Sequence, residues 1–167
     1  MIEEWLQKGY DPTTLLHRLL LLEKIKKYAP FEALLDIGCG HGPDLYLIQQ
    51  EFKNIKIYGI DERKQLIEEV EEKIPIGFYF SGRYQDELSK FAENSIDIVI
   101  TNGVLMYNNK EDLLSFFKIA KKAVILSEKT DTAMHNFLLQ HNPIVTKISK
   151  DIRQTWGDCG YIFEYQK

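Results

Sequence analysis

The stretch "ALLDIGCGHGPD", Ala33 to Asp44, sets one acid, Asp36, in a short apolar run and follows it with glycine at alternate positions, Gly38, Gly40 and Gly42. A strand that ends in glycines and opens into a helix brings backbone N–H groups and close-approach space to the carboxyl edge of a sheet, where open α/β sheets bind ligands. Glycine accepts positive φ and has no Cβ, so a ligand can lie against the chain. A turn that only needs flexibility would also use glycine. Three alternating glycines directly after an apolar strand favour the ligand reading. Cys39 and His41, between the glycines, read as loop filler.

Working outward, apolar runs alternate with amphipathic stretches from about residue 33 onward, the pattern of repeated strand–helix units in a mostly parallel sheet. The expected strands are "ALLDI" (33–37), "IKIYGI" (55–60), "GFYFS" (77–81), "IDIVIT" (96–101) and "AVILSE" (123–128), short and β-branched or aromatic-rich as buried strands are. Helical spacing marks "DLYLIQQEF", "RKQLIEEVEEKI" with Leu66, Ile67 and Val70, and "EDLLSFFKIAKK" with Leu114, Phe117, Ile119 and Ala120. "YQDELSKFAE" fits a short helix or an irregular crossover. Ahead of the first strand, Asp11 followed by Pro12 reads as a helix start, and "TTLLHRLLLLEKIKKY" continues it until Pro30. After a helix "TAMHNFLLQ", two strand-like runs flank Gly157-Asp158-Cys159-Gly160 with no helix between them, so the sheet should end in an antiparallel hairpin with a tight turn.

At 167 residues, 44% hydrophobic and 12% aromatic, the chain suits one domain spanning 1–167, with residues 1–30 as a helical cap and 31–167 as the core. No apolar run approaches the roughly 20 residues of a membrane span. The acidic start "MIEEWLQKGY" does not resemble a secretory signal, and Cys39 and Cys159 follow no metal or disulfide spacing, which points to the cytoplasm and no bound metal. A net charge of -4 disfavours nucleic acid as a partner.

Asp61, at the end of "IYGID", lies 23 residues after Gly38, near the offset at which a strand-tip acid meets ribose hydroxyls. It could equally cap the following helix. The dinucleotide fingerprint needs glycine where Pro43 stands, which disfavours a nicotinamide cofactor. Here the chain resembles the seven-stranded, Rossmann-like S-adenosylmethionine-dependent methyltransferases, whose first motif is an acid followed by G-x-G-x-G, as in "LLDIGCGHG". "IYGID" looks like their ribose-binding acid, "FYFSGRYQDEL" occupies the place of their adenine-side loop, and "SIDIVITNGVLMY" is similar to the fourth strand and the segment beside the transferred methyl. The closing hairpin, with its last strand antiparallel beside the fifth, matches their topology, and the likeness covers about residues 31–167.

The resemblance implies a three-layer α/β sandwich and a set of roles. Asp36, Gly38, Cys39 and Gly40 would surround the methionine part of the cofactor, Asp61 would hold the ribose diol, and Glu62 would lie beside adenine. Asn102 and Val104 would offer main-chain contacts near the sulfonium. The family commonly has Gly-Asp in its third motif; here Gly82 precedes Arg83, which cannot accept a hydrogen bond from the adenine amino group. The nearest acid is Asp86, and adenine would be held by backbone groups, by stacking on Tyr84 or Arg83, or weakly.

Methyl transfer from a sulfonium needs a general base only for a protonated nucleophile. The candidates are Tyr107 and His135, with His141 further along, although a pocket wall or a surface position explains them as well. "TNGVLMY" lacks the Asn/Asp-Pro-Pro-aromatic pattern of enzymes that methylate base or amide nitrogens, and is closer to the small-molecule branch. The cover over the substrate is short, built from "EEWLQKGYD" with Trp5 and Tyr10 and from region 129–143, which suggests an open pocket, a large partner or a homo-oligomer. Two alternatives stay open: a methyltransferase-like module that binds without turnover, and another nucleotide-binding Rossmann-type protein.

Overall fold

The computed structural model describes residues 12–104, 112–128, 132–148 and 160–167. Helix α1 (Pro12–Lys26) precedes β1 (Ala33–Ile37), α2 (Pro43–Glu51), β2 (Lys56–Asp61), α3 (Lys64–Lys73) and β3 (Phe78–Ser81). Then come α4 (Tyr84–Glu87), which runs into a 3-10 turn (Leu88–Lys90), β4 (Ile96–Asn102), α5 (Asp112–Ile119), β5 (Ala120–Glu128), α6 (Thr132–Leu139), β6 (Ile144–Ile148) and β7 (Gly160–Gln166). The seven strands form one sheet in the order β3-β2-β1-β4-β5-β7-β6. Strands β1 to β5 pair in parallel, and β7 runs antiparallel between β5 and β6. The expected sandwich and its antiparallel last strand are both present.

Alternation along each central strand divides the core between the two faces of the sheet. Leu34, Ile98, Ile125 and Ile162 pack with Leu21 and Ile25 of α1, Leu45 of α2 and Val70 of α3. Leu35, Val99, Val124 and Phe163 pack with Tyr84 of α4, Leu113 and Phe116 of α5 and Leu138 of α6. The large side chains Leu34, Leu35, Phe116 and Phe163 are fully buried, and truncating one such aromatic costs about 3–5 kcal/mol. Two buried acids tie distant segments together, Asp97 within the sheet and Glu164 from the sheet to the chain after α1. Asp97 on β4 accepts from the backbone N–H groups of Glu32 (2.7 Å) and Ala33 (3.0 Å), and Glu164 on β7 accepts from the Tyr28 hydroxyl (2.7 Å) beyond α1.

The elements depart from the sequence reading in several places. Helix α5 stops at Ile119, because Ala120 pairs with Ile96 and its next residues open β5. Its buried stripe is Leu113, Phe116 and Ile119, whereas Leu114 is 58% exposed and Phe117 is half-buried. Apolar residues occupy two adjoining faces of this helix, so periodicity alone does not choose between them; docking on the sheet does. Strand β3 is an edge strand with Phe78 exposed, not a buried one. Gly160, expected in a tight turn, is the first residue of β7 and pairs with Ile148; residues 149–159, which join the two strands, lie outside the described residues. No helix among the described residues is long and apolar enough to cross a membrane.

Candidate functional site

The three glycines all have positive φ: 76° at Gly38, 56° at Gly40 and 80° at Gly42. Their missing Cβ atoms do different work. A Cβ on Gly38 would lie 2.3 Å from Val104 Cγ2, and one on Gly42 would lie 2.2 Å from Val70 Cγ2. These two glycines let the loop pack against the segment after β4 and against α3. Only Gly40 keeps an open face, its nearest neighbour there being Arg63 Nη2 at 3.8 Å. Cys39 between them is core and not filler: it is buried, its Sγ lies beneath Gly59, and burial next to Asp36 pushes its thiol pKa well up.

Four N–H groups of this loop are committed to the protein. Gly38 and Cys39 both donate to Ile60 O, at 2.7 and 3.0 Å; Gly40 donates to Asp61 Oδ2 at 2.9 Å, and Gly42 to Cys39 O at 2.9 Å. A loop that cradles phosphates needs such N–H groups pointing outward. Around this one, buried acceptors are left over instead. Asp36 Oδ1, Asp44 Oδ1 and Asn102 Oδ1 are buried with no hydrogen-bond partner, while Asp44 Oδ2 accepts from Asn102 Nδ2 (3.0 Å) and pairs with the Arg18 guanidinium. Burial, reinforced by Asp44 nearby, pushes the Asp36 pKa well above the usual carboxylate range. Burial acts on Asp44 in the same sense, but the Arg18 charge and hydrogen bond outweigh it and hold its carboxyl low.

Asp61 is held by four donors. Its Oδ1 accepts from Arg63 N (3.0 Å) and Nε (2.9 Å), and its Oδ2 from Gly40 N and from Arg63 Nη2 (3.1 Å). Burial opposes its charge, but these donors prevail and keep its pKa low. It accepts the Arg63 N–H two residues on, while Arg63 itself stands at the N-cap of α3.

Across the sheet, the tips of β4 and β5 are joined by Glu128, a fully buried acid that accepts from Thr101 Oγ1 (2.5 Å) and from Val104 N (3.2 Å). Ser127 beside it bonds His17 of α1, so consecutive residues of that helix, His17 and Arg18, reach β5 and α2. The Tyr84 hydroxyl bonds Asp112 at the start of α5.

These elements enclose a cleft of about 530 Å³. Of the residues expected at a cofactor, Gly38, Asp61, Glu62, Gly82, Tyr84, Asn102 and Val104 line it, joined by Arg63. Asp36 and Cys39 lie buried beneath, and Gly40 N grips Asp61 from the side. Arg83 is exposed at the N-cap of α4, and Asp86 is exposed beyond it. His135 packs at a tilt on Tyr161 and edge-on to Phe163, with ring centroids 4.5 and 5.4 Å away, and His141 lies against Phe117 and Phe137. Neither lines the cleft. Tyr107, Trp5 and Tyr10 lie outside the described residues. Among the described residues, no three His, Cys, Asp or Glu side chains converge as a metal site requires.

Asp44, Arg63 and Glu128 were not singled out from the sequence. Asp44 and Arg63 carried a signal, an ionisable residue one or two positions beyond a motif. Glu128 carried none, because its partners are 24 and 27 residues away.

A family model described as "Methyltransferase domain" matches residues 31–166. No curated protein matches the sequence significantly. Among solved structures, a SAM-dependent methyltransferase from Archaeoglobus fulgidus is 15% identical with a TM-score of 0.70, covering 99% of both chains. Geranyl diphosphate C-methyltransferase from Streptomyces coelicolor A3(2), in complex with Mg2+, geranyl-S-thiolodiphosphate and S-adenosyl-L-homocysteine, is 12% identical with a TM-score of 0.73, covering 92% of this chain and 76% of that one. Magnesium protoporphyrin IX methyltransferase from Synechocystis PCC 6803, with bound SAM, is 16% identical with a TM-score of 0.65, covering 97% and 83%. These structures share the fold, and the family match over most of the chain identifies it: the protein belongs to the methyltransferase-domain family.

Proposed function

We propose that the chain is an S-adenosylmethionine-dependent methyltransferase acting on a small-molecule acceptor. One observation carries this reading: Gly38, Cys39, Gly40 and Gly42 spend their N–H groups inside the protein, while the buried side chains around the loop, Asp36, Asp44 and Asn102, each keep an oxygen without a partner. Such acceptors are complementary to a ligand that brings hydroxyl and ammonium donors, and the four loop N–H groups bonded inside the protein are not available to a pyrophosphate. Asp61 would take the ribose diol, Asp36 with Asp44 and Asn102 would face the methionine ammonium, and Glu62, Gly82 and Tyr84 would flank adenine. Methyl transfer to geranyl diphosphate and to magnesium protoporphyrin IX, named for two structural neighbours, supports an acceptor of the small-molecule class.

S-Adenosylmethionine supplies a methyl group already activated by the sulfonium charge. The protein's part is positioning, which alone can supply much of the rate. Glu128 fixes the Val104 N–H and the Thr101 hydroxyl, and Val104 in turn packs on Gly38, so the wall beside the transferred group is braced from both strands. His135, packed among aromatic rings, is not assigned as a base; Tyr107 stays a candidate for acceptors that arrive protonated. We place the protein in the cytoplasm, where the Cys39 thiol stays reduced.

A second reading, a module that binds cofactor without turnover, is favoured by the Arg63 guanidinium on Asp61 and by Arg83 in the place of the usual acid. Isothermal titration with S-adenosylmethionine, S-adenosylhomocysteine and oxidised nicotinamide dinucleotide tests the cofactor. Both adenosyl ligands should bind and the dinucleotide should not; the reverse pattern removes the proposal. Cofactor consumption across a panel of small-molecule acceptors then separates enzyme from module.

A further inference from the structure

We propose that Arg63 is an affinity-setting residue of the ribose site, its guanidinium standing where the cofactor's diol must bind. The inference rests on the adenosyl reading above. Two kinds of donor hold the Asp61 carboxylate. Gly40 N and Arg63 N are backbone groups fixed by the loop and by the start of α3, and they orient the carboxylate whatever side chain stands at position 63. Arg63 Nε and Nη2, at 2.9 and 3.1 Å, form the second pair, one to each oxygen. A vicinal diol also offers one donor to each oxygen of a carboxylate, so the guanidinium fork and the diol compete for the same lone pairs.

The exchange is feasible because the two partners differ in exposure. The Arg63 side chain is 68% exposed and Asp61 is 5% exposed, so the arginine swings into solvent while the acid stays in place. Arg63 also lines the cleft, and its Nη2 is the nearest atom to the open face of Gly40, so it withdraws through the space a ligand would enter. The pair therefore lowers the affinity of every ligand that uses Asp61, donor and product alike, and eases product departure.

The test is isothermal titration of wild type, Arg63→Ala, Asp61→Asn and the double variant with S-adenosylhomocysteine and S-adenosylmethionine. Arg63→Ala leaves both backbone donors intact, and thermal melting checks that it folds. It should tighten both ligands by the same factor, roughly two- to five-fold, the range of a solvent-exposed ion pair. In the Asp61→Asn background the gain should vanish, and added salt should shrink the difference between wild type and Arg63→Ala by screening the pair. Weaker or unchanged binding in Arg63→Ala overturns this inference alone. Binding of neither ligand by wild type or Arg63→Ala overturns the adenosyl reading and this inference with it.

Discussion

The two sides of the cleft are built differently. On the β1–β2 side, the recognition groups come from two short stretches, Asp36–Gly42 and Asp61–Arg63, and the hydrogen bonds that shape them run between neighbouring loops. On the β4–β5 side, Val104 and Asn102 owe their positions to Glu128, Asp44, Arg18 and, through Ser127, His17, residues separated by up to 110 positions in the chain. The first side is a local motif. The second is an assembly held by buried polar groups, each left costly if its partner is removed.

The largest expected effect tests where the two sides meet. Gly38→Ala combines left-handed strain with a Cβ overlapping Val104 Cγ2, and should cost about 2–5 kcal/mol in chemical denaturation. Gly40→Ala carries only the strain, about 1–2 kcal/mol, since its nearest neighbour is 3.8 Å away. Equal losses at the two positions would mean that the loop does not lean on the β4 side.

Glu128→Ala probes the assembled side by itself. It strands the Thr101 hydroxyl and the Val104 N–H, and should cost about 2–3 kcal/mol while lowering kcat more than it weakens adenosyl binding. An effect confined to cofactor affinity would put Glu128 on the other side of the cleft.

Asp36 gives a pH signature to the local side. Its raised pKa means that, between the ordinary carboxylate range and its own pKa, the folded chain keeps a proton that the unfolded chain has lost. Stability contributed by that proton is present at low pH and is lost as pH rises through this window. Asp36→Asn should remove that slope and raise Tm by about 2–4 °C per kcal/mol gained at neutral pH, as melts across pH would show. Adenosyl affinity should follow the opposite sign in wild type, tightening as Asp36 ionises, and should lose that dependence in Asp36→Asn. Asp44 and Asp61, both held low, contribute stability that is lost only as pH falls below the ordinary carboxylate range.

The smallest effect is expected at His135, whose ring packs on Tyr161 and Phe163 away from the cleft. His135→Ala should change turnover by less than about two-fold, with any stability loss near the 0.5–1.5 kcal/mol of an aromatic pair. A large drop in kcat with an intact melt would return it to the mechanism.

Much of this arrangement was legible in the sequence because it is periodic or local. Apolar runs placed five parallel strands to within a few residues, and the absence of a helix before the last strand implied its antiparallel direction. Of the alternating glycines, Gly38 lines the cleft, and so does Asp61. Local pattern did not say what each glycine was for: Gly38 and Gly42 make room for Val104 and Val70, side chains that only the folded chain brings there. Tertiary structure also chose the buried face of α5, moved Cys39 into the core and brought Glu128 beneath Val104. The physical division is one of range. Hydrophobic periodicity and backbone freedom act over a few residues and can be read in order along the chain. Burial of a polar group is settled only by which distant partner the fold supplies.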